Sequence, residues 1–300
     1  MELRQLKYFY ILSEELNFSK AANKLCISQG TLSQQIRQLE NEIGSDLFER
    51  TSRTVVLTEA GAELTKYAHK ALDAAHECKQ IAYDLRSGVT GTLNIGITHS
   101  FKYLLKNTMS NFIRHYPGIR INVYYGTVVD LLEMIRKRDL DCFVAFKPSS
   151  DIDDIETLPL FDSKLAIIMR RHHPLSDRAS MTADELCKHP LVLPAKGLQS
   201  RKYIERISEI DVHKLNVTME TNDPNILLEI ISATNLLAIT STLAISYRND
   251  LISIPLAGIN SKMTGCIHRL KNTYVKKSAK IFSDMLMESA ELERIGNIVL

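Results

Sequence analysis

Apolar residues recur with three different spacings along the chain, and each spacing predicts a different kind of structure. Residues 18–43 contain two short helical patterns joined by a tight turn, and the second has an apolar stripe of Leu32, Ile36 and Leu39. Residues 64–85 follow a heptad spacing, which is typical of a long helix. Beyond Gly91, short apolar runs alternate with helical patterns, as in βαβ units on a mainly parallel sheet.

The second short helix has an unusual polar face. Ser19 and Ser28 stand where the two helices begin, so both are predicted N-caps. The face opposite the apolar stripe carries amide, hydroxyl and guanidinium groups, from Gln29, Thr31, Ser33, Gln34 and Arg37. Glutamine can pair with adenine, and arginine with guanine or phosphate, so this helix is a candidate for reading bases in a DNA major groove. Taken alone, the pattern favours an ordinary polar surface helix, and the neighbouring helix and hairpin reverse that preference.

A basic hairpin is predicted directly after the two helices. Residues 50–57 alternate around a tight turn and are similar to the wing of a winged helix-turn-helix. An arginine at the tip of a wing can enter a narrow minor groove, and Arg53 is the candidate for that role. Arg50 is a candidate phosphate contact. Pairing of Arg50 with Glu49 or Glu59 is the structural alternative.

One long helix is predicted after a capping Thr58. Its apolar positions step alternately by four and three residues, which defines a heptad seam of Leu64, Ala68, Ala71, Ala75, Cys78, Ala82 and Leu85. Small side chains in such a seam let two helices approach closely, so the seam predicts a dimer. A single helix packed on its own domain is the alternative. Residues 87–91, Ser-Gly-Val-Thr-Gly, end the helix and mark a domain boundary.

The α/β region places polar residues where predicted strands lead into helices. Free backbone N–H groups at helix starts bind polar ligands, and open α/β sheets bind ligands at the carboxyl ends of strands. The candidate ligand contacts are Thr98, His99, Ser100, Thr127, Phe146, Gln199, Ser200 and Arg201. Hydroxyls, backbone donors and the Arg201 guanidinium together favour a small organic anion. The structural alternatives are a helix cap for Ser100, a surface position for His99, and pairing of Arg201 with Glu205.

Composition and charge narrow the possibilities. The 300 residues, 45% hydrophobic and 24% charged, are typical of a globular protein of about two domains. The chain has no run of eighteen apolar residues and no signal-peptide pattern, so we expect a cytoplasmic protein with no membrane partner. Five scattered cysteines predict neither a disulfide framework nor a zinc site. Residues 1–60 hold seven Lys/Arg against eight Asp/Glu, a net charge of −1, which argues against indiscriminate DNA binding.

The first sixty residues resemble the LysR-type family of bacterial transcription regulators. The matching segments include LRQLKYF at 3–9, FSKAA at 18–22, LSQQI at 32–36, LFER at 47–50 and LTEAG at 57–61. Many motif positions in one order make the match specific. At Gly30 the chain departs from the family, which usually has proline there. Glycine at that position lets the backbone approach DNA closely, so Gly30 is a further candidate contact.

The resemblance implies a domain organisation. It comprises an N-terminal all-α winged helix-turn-helix domain at 1–58, a linker helix at 59–88 and a C-terminal α/β domain at 91–300. The α/β domain would have two lobes and resemble type 2 periplasmic binding proteins. Lobe I would contain about 91–162 and 269–300, and lobe II about 163–268, with chain crossings near 146–163 and 265–270.

The resemblance also implies an assembly. Linker helices of the family pair antiparallel in a dimer, which would bind an inverted-repeat operator in double-stranded DNA. The α/β lobes would join dimers into a tetramer, and a small-molecule effector would bind between the two lobes of each chain.

Enzyme chemistry is not predicted. The chain has no glycine-rich phosphate loop and no nucleophile elbow, and His172 and His173 have no partners at metal spacing. We therefore expect no catalytic residue, metal or cofactor, and favour a DNA-binding transcription regulator controlled by an effector. The main alternative is a DNA-binding assembly protein whose α/β region only mediates oligomerisation. A redox sensor is disfavoured, because Cys187 and Cys266 are 79 positions apart.

Overall fold

The computed structural model describes residues 1–51, 54–87 and 90–296. The chain divides into two compact units, Met1–Arg86 and Ser87–Leu300. Arg53, the predicted wing-tip arginine, lies outside the described residues.

The first unit combines short helices, a two-stranded hairpin and one long helix. Its elements are α1 (Leu3–Glu15), α2 (Phe18–Leu25), α3 (Gln29–Ile43), β1 (Phe48–Arg50), β2 (Val55–Leu57) and α4 (Glu59–Ser87). Strands β1 and β2 pair antiparallel and form the predicted wing. The short helices bury their apolar stripes together, with Phe9, Leu12, Leu32, Ile36 and Leu39 all fully buried. The unit is therefore the predicted winged helix-turn-helix.

The helix-capping residues that the sequence predicts in this unit are confirmed, with one exception. The Ser28 hydroxyl accepts a hydrogen bond from the Thr31 N–H at 3.0 Å and caps α3, as predicted. The prediction that Ser19 caps α2 is wrong, because Asn17 has the extended backbone of an N-cap and its side chain accepts from the Lys20 N–H at 3.0 Å. Ser19 instead lies within the first turn of α2.

Helix α4 has two different halves. Its start is capped by the Thr58 hydroxyl, as predicted. The first half packs on the N-terminal core, where Ala68 is fully buried and Leu64 partly buried. In the second half, Cys78 and Ala82 are exposed. The predicted alternative, a helix packed on its own domain, is thus confirmed for the first half of the seam only.

The second unit is a two-lobed α/β domain. Its strands are β3 (Gly91–Ile97), β4 (Ile119–Tyr125), β5 (Cys142–Phe146), β6 (Ile155–Arg170), β7 (Leu191–Pro194), β8 (Val217–Thr221), β9 (Leu237–Ser241), β10 (Leu251–Pro255) and β11 (Lys262–Leu270). Its helices are α5 (Lys102–His115), α6 (Val128–Arg136), α7 (Ala183–Leu186), α8 (Gln199–Ile204), α9 (Pro224–Ala233) and α10 (Lys277–Gly296). Short 3₁₀ helices occur at His99–Phe101, Val212–Lys214 and Thr242–Ile245.

The two lobes are joined by one long strand. In the first lobe β3 lies parallel between β4 and β5, and in the second β7 lies parallel between β8 and β9. Strand β6 pairs with β11 over residues 155–164 and with β9 and β10 over 165–170, so it passes from one lobe to the other. All pairings of β6 and β11 are antiparallel. The sheets are therefore mixed, whereas a mainly parallel sheet was predicted.

The return of the chain to the first lobe comes earlier than expected. All of β11 lies beside β5 and β6, so the chain leaves the second lobe between Pro255 and Lys262, before the expected crossing at 265–270. The apolar pattern does not predict β11, because a glycine and a histidine interrupt it. The buried His268 is tolerated there because Thr157 and the Ala145 carbonyl satisfy its imidazole.

Candidate DNA-binding surface and effector pocket

Helix α3 is fixed by its apolar face and presents the opposite face to solvent. Leu32, Ile36 and Leu39 are fully buried beneath it. Of the predicted contacts, Gln29, Gly30, Thr31, Gln34 and Arg37 are exposed, and Ser33 is partly buried. Neither Gln34 nor Arg37 has a hydrogen-bond or ion-pair partner among the residues the structure describes. Their amide and guanidinium groups are therefore free to contact a base edge or a phosphate.

The first turn of α3 is organised by short polar contacts. The Ser19 hydroxyl donates to Gln29 Oε1 at 3.1 Å, and the hydroxyls of Ser28 and Thr31 lie 2.8 Å apart. A Cβ added at Gly30 would meet only Ser28 Oγ, at 3.8 Å. Neither space nor backbone conformation requires glycine at this position, so a side-chain Cβ would fit there.

Arg50 is held by a buried carboxylate. The Arg50 guanidinium forms an ion pair with Glu40 and lies 5.2 Å from the centre of the Phe18 ring. Glu40 also accepts hydrogen bonds from the backbone N–H groups of Leu47 and Phe48, at 3.1 and 3.3 Å. The alternative partners predicted for Arg50 are both wrong, because the hairpin brings the arginine back to α3. Local sequence patterns do not predict this contact, because Glu40 and Arg50 are ten positions apart. A role of Arg50 in DNA binding stays a prediction.

Seven of the eight predicted effector contacts surround one small cavity of about 40 Å³ between the lobes. The first lobe contributes Thr98, His99, Ser100, Thr127 and Phe146, and the second contributes Gln199 and Ser200. They converge because the loops after β3, β4, β5 and β7 all lie at the carboxyl ends of these strands. Sequence reasoning did not find Leu198 and Pro224, which also line the cavity and carry no polar side chain.

Gln199 links the two lobes across this cavity. Its side-chain Oε1 accepts from the Phe146 N–H at 3.1 Å, and its Nε2 donates to the Phe146 carbonyl. Thr127 instead caps α6 in a reciprocal pair with Asp130. The Thr98 hydroxyl is buried and has no hydrogen-bond partner within the described part of the chain. A ligand oxygen could satisfy that hydroxyl.

His99 and Ser100 lie in the short 3₁₀ helix that precedes α5. The predicted alternative of a simple cap is wrong for Ser100, because Thr98 and Phe101 occupy the N-cap positions. The His99 ring stacks on Tyr125, with centroids 5.2 Å apart. Burial lowers the pKa of His99, and nearby Asp223 only partly opposes that effect. The imidazole is therefore neutral at pH 7, and it can donate one hydrogen bond and accept another.

Arg201 does not join the other predicted contacts. It is only 3% exposed, and its guanidinium binds Glu205 at 2.8 Å and Glu220 at 2.6 Å. It also donates to the Pro194 carbonyl at 3.3 Å. The predicted pairing with Glu205 is confirmed. Lys102 lines an adjoining cavity together with His99 and Ser100.

Two of the five cysteines, Cys142 and Cys266, are buried. Burial raises the pKa of Cys142 to about 12 and that of Cys266 to about 11, so both thiols stay protonated and unreactive at neutral pH. Within the described ranges, no group of three or more His, Cys, Asp or Glu side chains is placed to hold a metal ion. None of the helices in those ranges is both long and apolar enough to cross a bilayer.

A winged helix-turn-helix and a two-lobed domain with a polar interlobe pocket define a DNA-binding regulator with a ligand-sensing domain. The model of the bacterial regulatory helix-turn-helix protein, lysR family, matches residues 3–62, and that of the LysR substrate binding domain matches residues 86–291. The chain belongs to the LysR family. It is a sequence-specific transcription regulator controlled by a small-molecule effector, as the sequence predicted.

A relative is similar over most of the chain, and solved structures share the fold. The HTH-type transcriptional activator CmpR from Synechocystis is 28% identical over 261 residues, which cover 87% of this chain and 83% of CmpR. A full-length OxyR variant from Pseudomonas aeruginosa has a TM-score of 0.67 at 22% identity and covers 97% of this chain and 95% of its own. The regulatory domain of CcmR from Synechocystis, in complex with 2-PG, has a TM-score of 0.59 at 19% identity, covering 67% of this chain and 98% of its own.

Proposed function

We propose that this protein reads its operator with the exposed face of α3 and that a small organic anion in the interlobe pocket controls this binding. The observation that carries the DNA assignment is the contrast across α3. Its apolar face is fully buried, while Gln34 and Arg37 on the other face are exposed. An amide and a guanidinium on one exposed helix face, with no partner among the described residues, suit base reading better than they suit stability.

Substitution of Gln34 or Arg37 by alanine tests this surface. Each change should reduce the preference for the operator over scrambled DNA by roughly 1–3 kcal/mol, because a bidentate base contact is lost. Binding is measured at matched salt, with Lys66→Ala on α4 as a control for lost charge. Arg53→Ala should instead weaken binding to both DNAs. If Gln34→Ala and Arg37→Ala both bound the operator as tightly as the parent, the assignment of this face would be wrong.

We also propose that the second half of α4 pairs antiparallel with its copy in a dimer. Cys78 and Ala82 on the seam are exposed, and neighbouring Ile81 is 38% exposed. The side chain of Leu85, the last seam residue, lies outside the described residues. Such a dimer has two-fold symmetry, so its operator would be an inverted repeat.

A tetramer would require a second contact surface on the α/β domain. Val123 and Tyr124 on the edge strand β4, and Ile226 on α9, are large apolar side chains with more than a third of their surface exposed. An exposed apolar edge strand favours association with another chain.

The cellular location that fits this DNA-binding role is the cytoplasm.

The anionic effector is supported by the donors around the pocket. The hydroxyls of Thr98 and Ser100, the Lys102 ammonium nearby and the start of α5 all favour an acceptor-rich ligand. Arg201 does not support an anionic effector, because its guanidinium already forms ion pairs with two carboxylates. The assembly-only alternative is not favoured, since a polar cavity with a buried hydroxyl without a partner among the described residues remains between the lobes.

A further inference from the structure

A second and larger cavity lies beside the interlobe pocket. Its volume is about 190 Å³, against about 40 Å³ for the pocket. It is lined by α6 of the first lobe, by Pro148, Ser149, Ser150 and Ile152 before β6, and by residues of α8 and its flanks in the second lobe. Val128 and Gln199 line both cavities, so the two are direct neighbours.

One wall of this cavity is aliphatic. Val128, Val129 and Leu132 project from α6, and Ile152 adds to them from the crossing segment. Val129 is 53% exposed, so a ligand that covered it would remove apolar surface from water. A cavity of roughly 150 Å³ is large enough for a benzene ring. The body of a six-membered ring therefore fits here.

The opposite side of the cavity is positively charged. Lys202 and Arg206 line it, and none of the described residues that line the cavity is acidic. Among the residues the structure describes, neither has an ion-pair partner. Arg201, which precedes Lys202 in the sequence, differs from both because its guanidinium forms ion pairs with Glu205 and Glu220. The cavity thus combines an apolar wall with two uncompensated cations.

We propose that this cavity is a second ligand site, which binds an organic monoanion with a ring-sized apolar body. The apolar body packs on Val129 and Leu132, and the carboxylate lies between Lys202 and Arg206. The ligand contacts both lobes and Gln199, whose amide holds the Phe146 backbone. Its binding therefore favours the lobe arrangement seen here.

Calorimetric titration of the full chain with cyclohexanecarboxylate tests the proposal, with neutral cyclohexanecarboxamide as the matched probe. The double substitution Lys202→Gln and Arg206→Gln should weaken binding of the acid about tenfold, as expected for the loss of charged hydrogen bonds, and leave the amide unaffected. Val129→Trp should fill the cavity and weaken both probes. Ser100→Ala, in the interlobe pocket, should change neither.

Three results would overturn the second site: no saturable binding of the acid to the parent, equal affinity in the parent and the double variant, or a loss caused by Ser100→Ala alone. The last result would place the acid in the interlobe pocket and leave the proposed function intact. Operator binding and thermal melting of each variant are measured in parallel. These measurements distinguish a loss of ligand binding in this cavity from a loss of DNA binding or of folding.

Discussion

At the residue scale, the buried carboxylate of Glu40 organises the DNA-binding domain. Glu40 belongs to α3, but its partners Leu47, Phe48 and Arg50 lie in the wing or just before it. One side chain therefore fixes the wing relative to the recognition helix. Arg50 is in turn packed against Phe18 of α2. These contacts give Arg50 a structural role in holding the wing against α2 and α3.

Arg50→Ala should lower the free energy of unfolding of the N-terminal domain by about 2 kcal/mol, because the Glu40 carboxylate loses its charged partner while it remains buried. Urea unfolding followed by circular dichroism measures this change, and exposed Lys20→Ala is the control. Weaker operator binding with unchanged stability would show instead that Arg50 is mainly a phosphate contact.

His268 makes stability depend on pH. Burial lowers its pKa to about 4, and the neutral ring accepts from Thr157 and donates to the Ala145 carbonyl. The unfolded chain takes up a proton as pH falls through 6.5, but the folded chain does not until about pH 4. This contribution to stability is complete above pH 6.5 and is lost as pH falls towards 4.

Between pH 7 and pH 4 the parent should therefore lose about 3 kcal/mol of unfolding free energy through this histidine. Urea unfolding at several pH values should show a shallower pH dependence in His268→Gln, which cannot titrate. Exposed His213→Gln should behave like the parent. Identical pH profiles for all three proteins would contradict the assignment.

At the element scale, α4 has two packing surfaces in succession. Its first half completes the N-terminal core, and its second half carries the exposed part of the heptad seam. Ala75 lies between these halves and is partly buried. The helix is thus suited to join a folded DNA-binding domain to a second copy.

Ala75→Glu should prevent dimerisation, because a carboxylate in a closely packed seam would be desolvated without a partner, which costs several kcal/mol. Sedimentation should show a monomer whose helical content by circular dichroism is retained and whose operator affinity is low. His76→Glu, which adds a carboxylate at an exposed position off the seam, is the control. A dimer in both variants would exclude the seam as the interface.

At the scale of the α/β domain, the interlobe pocket is narrow because Gln199 bridges to Phe146. A ligand that binds here shifts the equilibrium between lobe arrangements by its difference in affinity for them. We therefore expect the DNA-binding response to require a ligand that contacts both lobes.

Organic acids that bind this pocket should raise the melting temperature of the parent by mass action. The shift should be smaller in Ser100→Ala, which removes a pocket hydroxyl, and unchanged in Ser110→Ala, whose hydroxyl bonds within its own helix. A thermal-shift screen of carboxylates, neutral analogues and amines measures this. Stabilisation by neutral or cationic compounds alone would reject the anionic class.

The sequence alone predicted whatever depends on local periodicity or on a specific motif. The helical stripe of α3, the Ser28 cap and the parallel strands β3 and β4 all follow from such local patterns. The loops that form the pocket were also predicted, because parallel strands place their carboxyl ends together. Resemblance to the LysR family then assigned a function to those patterns.

The tertiary structure decided which long-range partners the polar side chains find. Glu40 and Arg50 are ten positions apart, and Arg201 and Glu220 nineteen, so no local pattern shows either pair. Strand β11, which contains the buried His268, and the early return of the chain to the first lobe also depend on long-range contacts. Local patterns therefore did not predict them. Burial makes these pairings strong, because a buried charge or ring nitrogen must find a partner, and only the folded chain determines which partner is near.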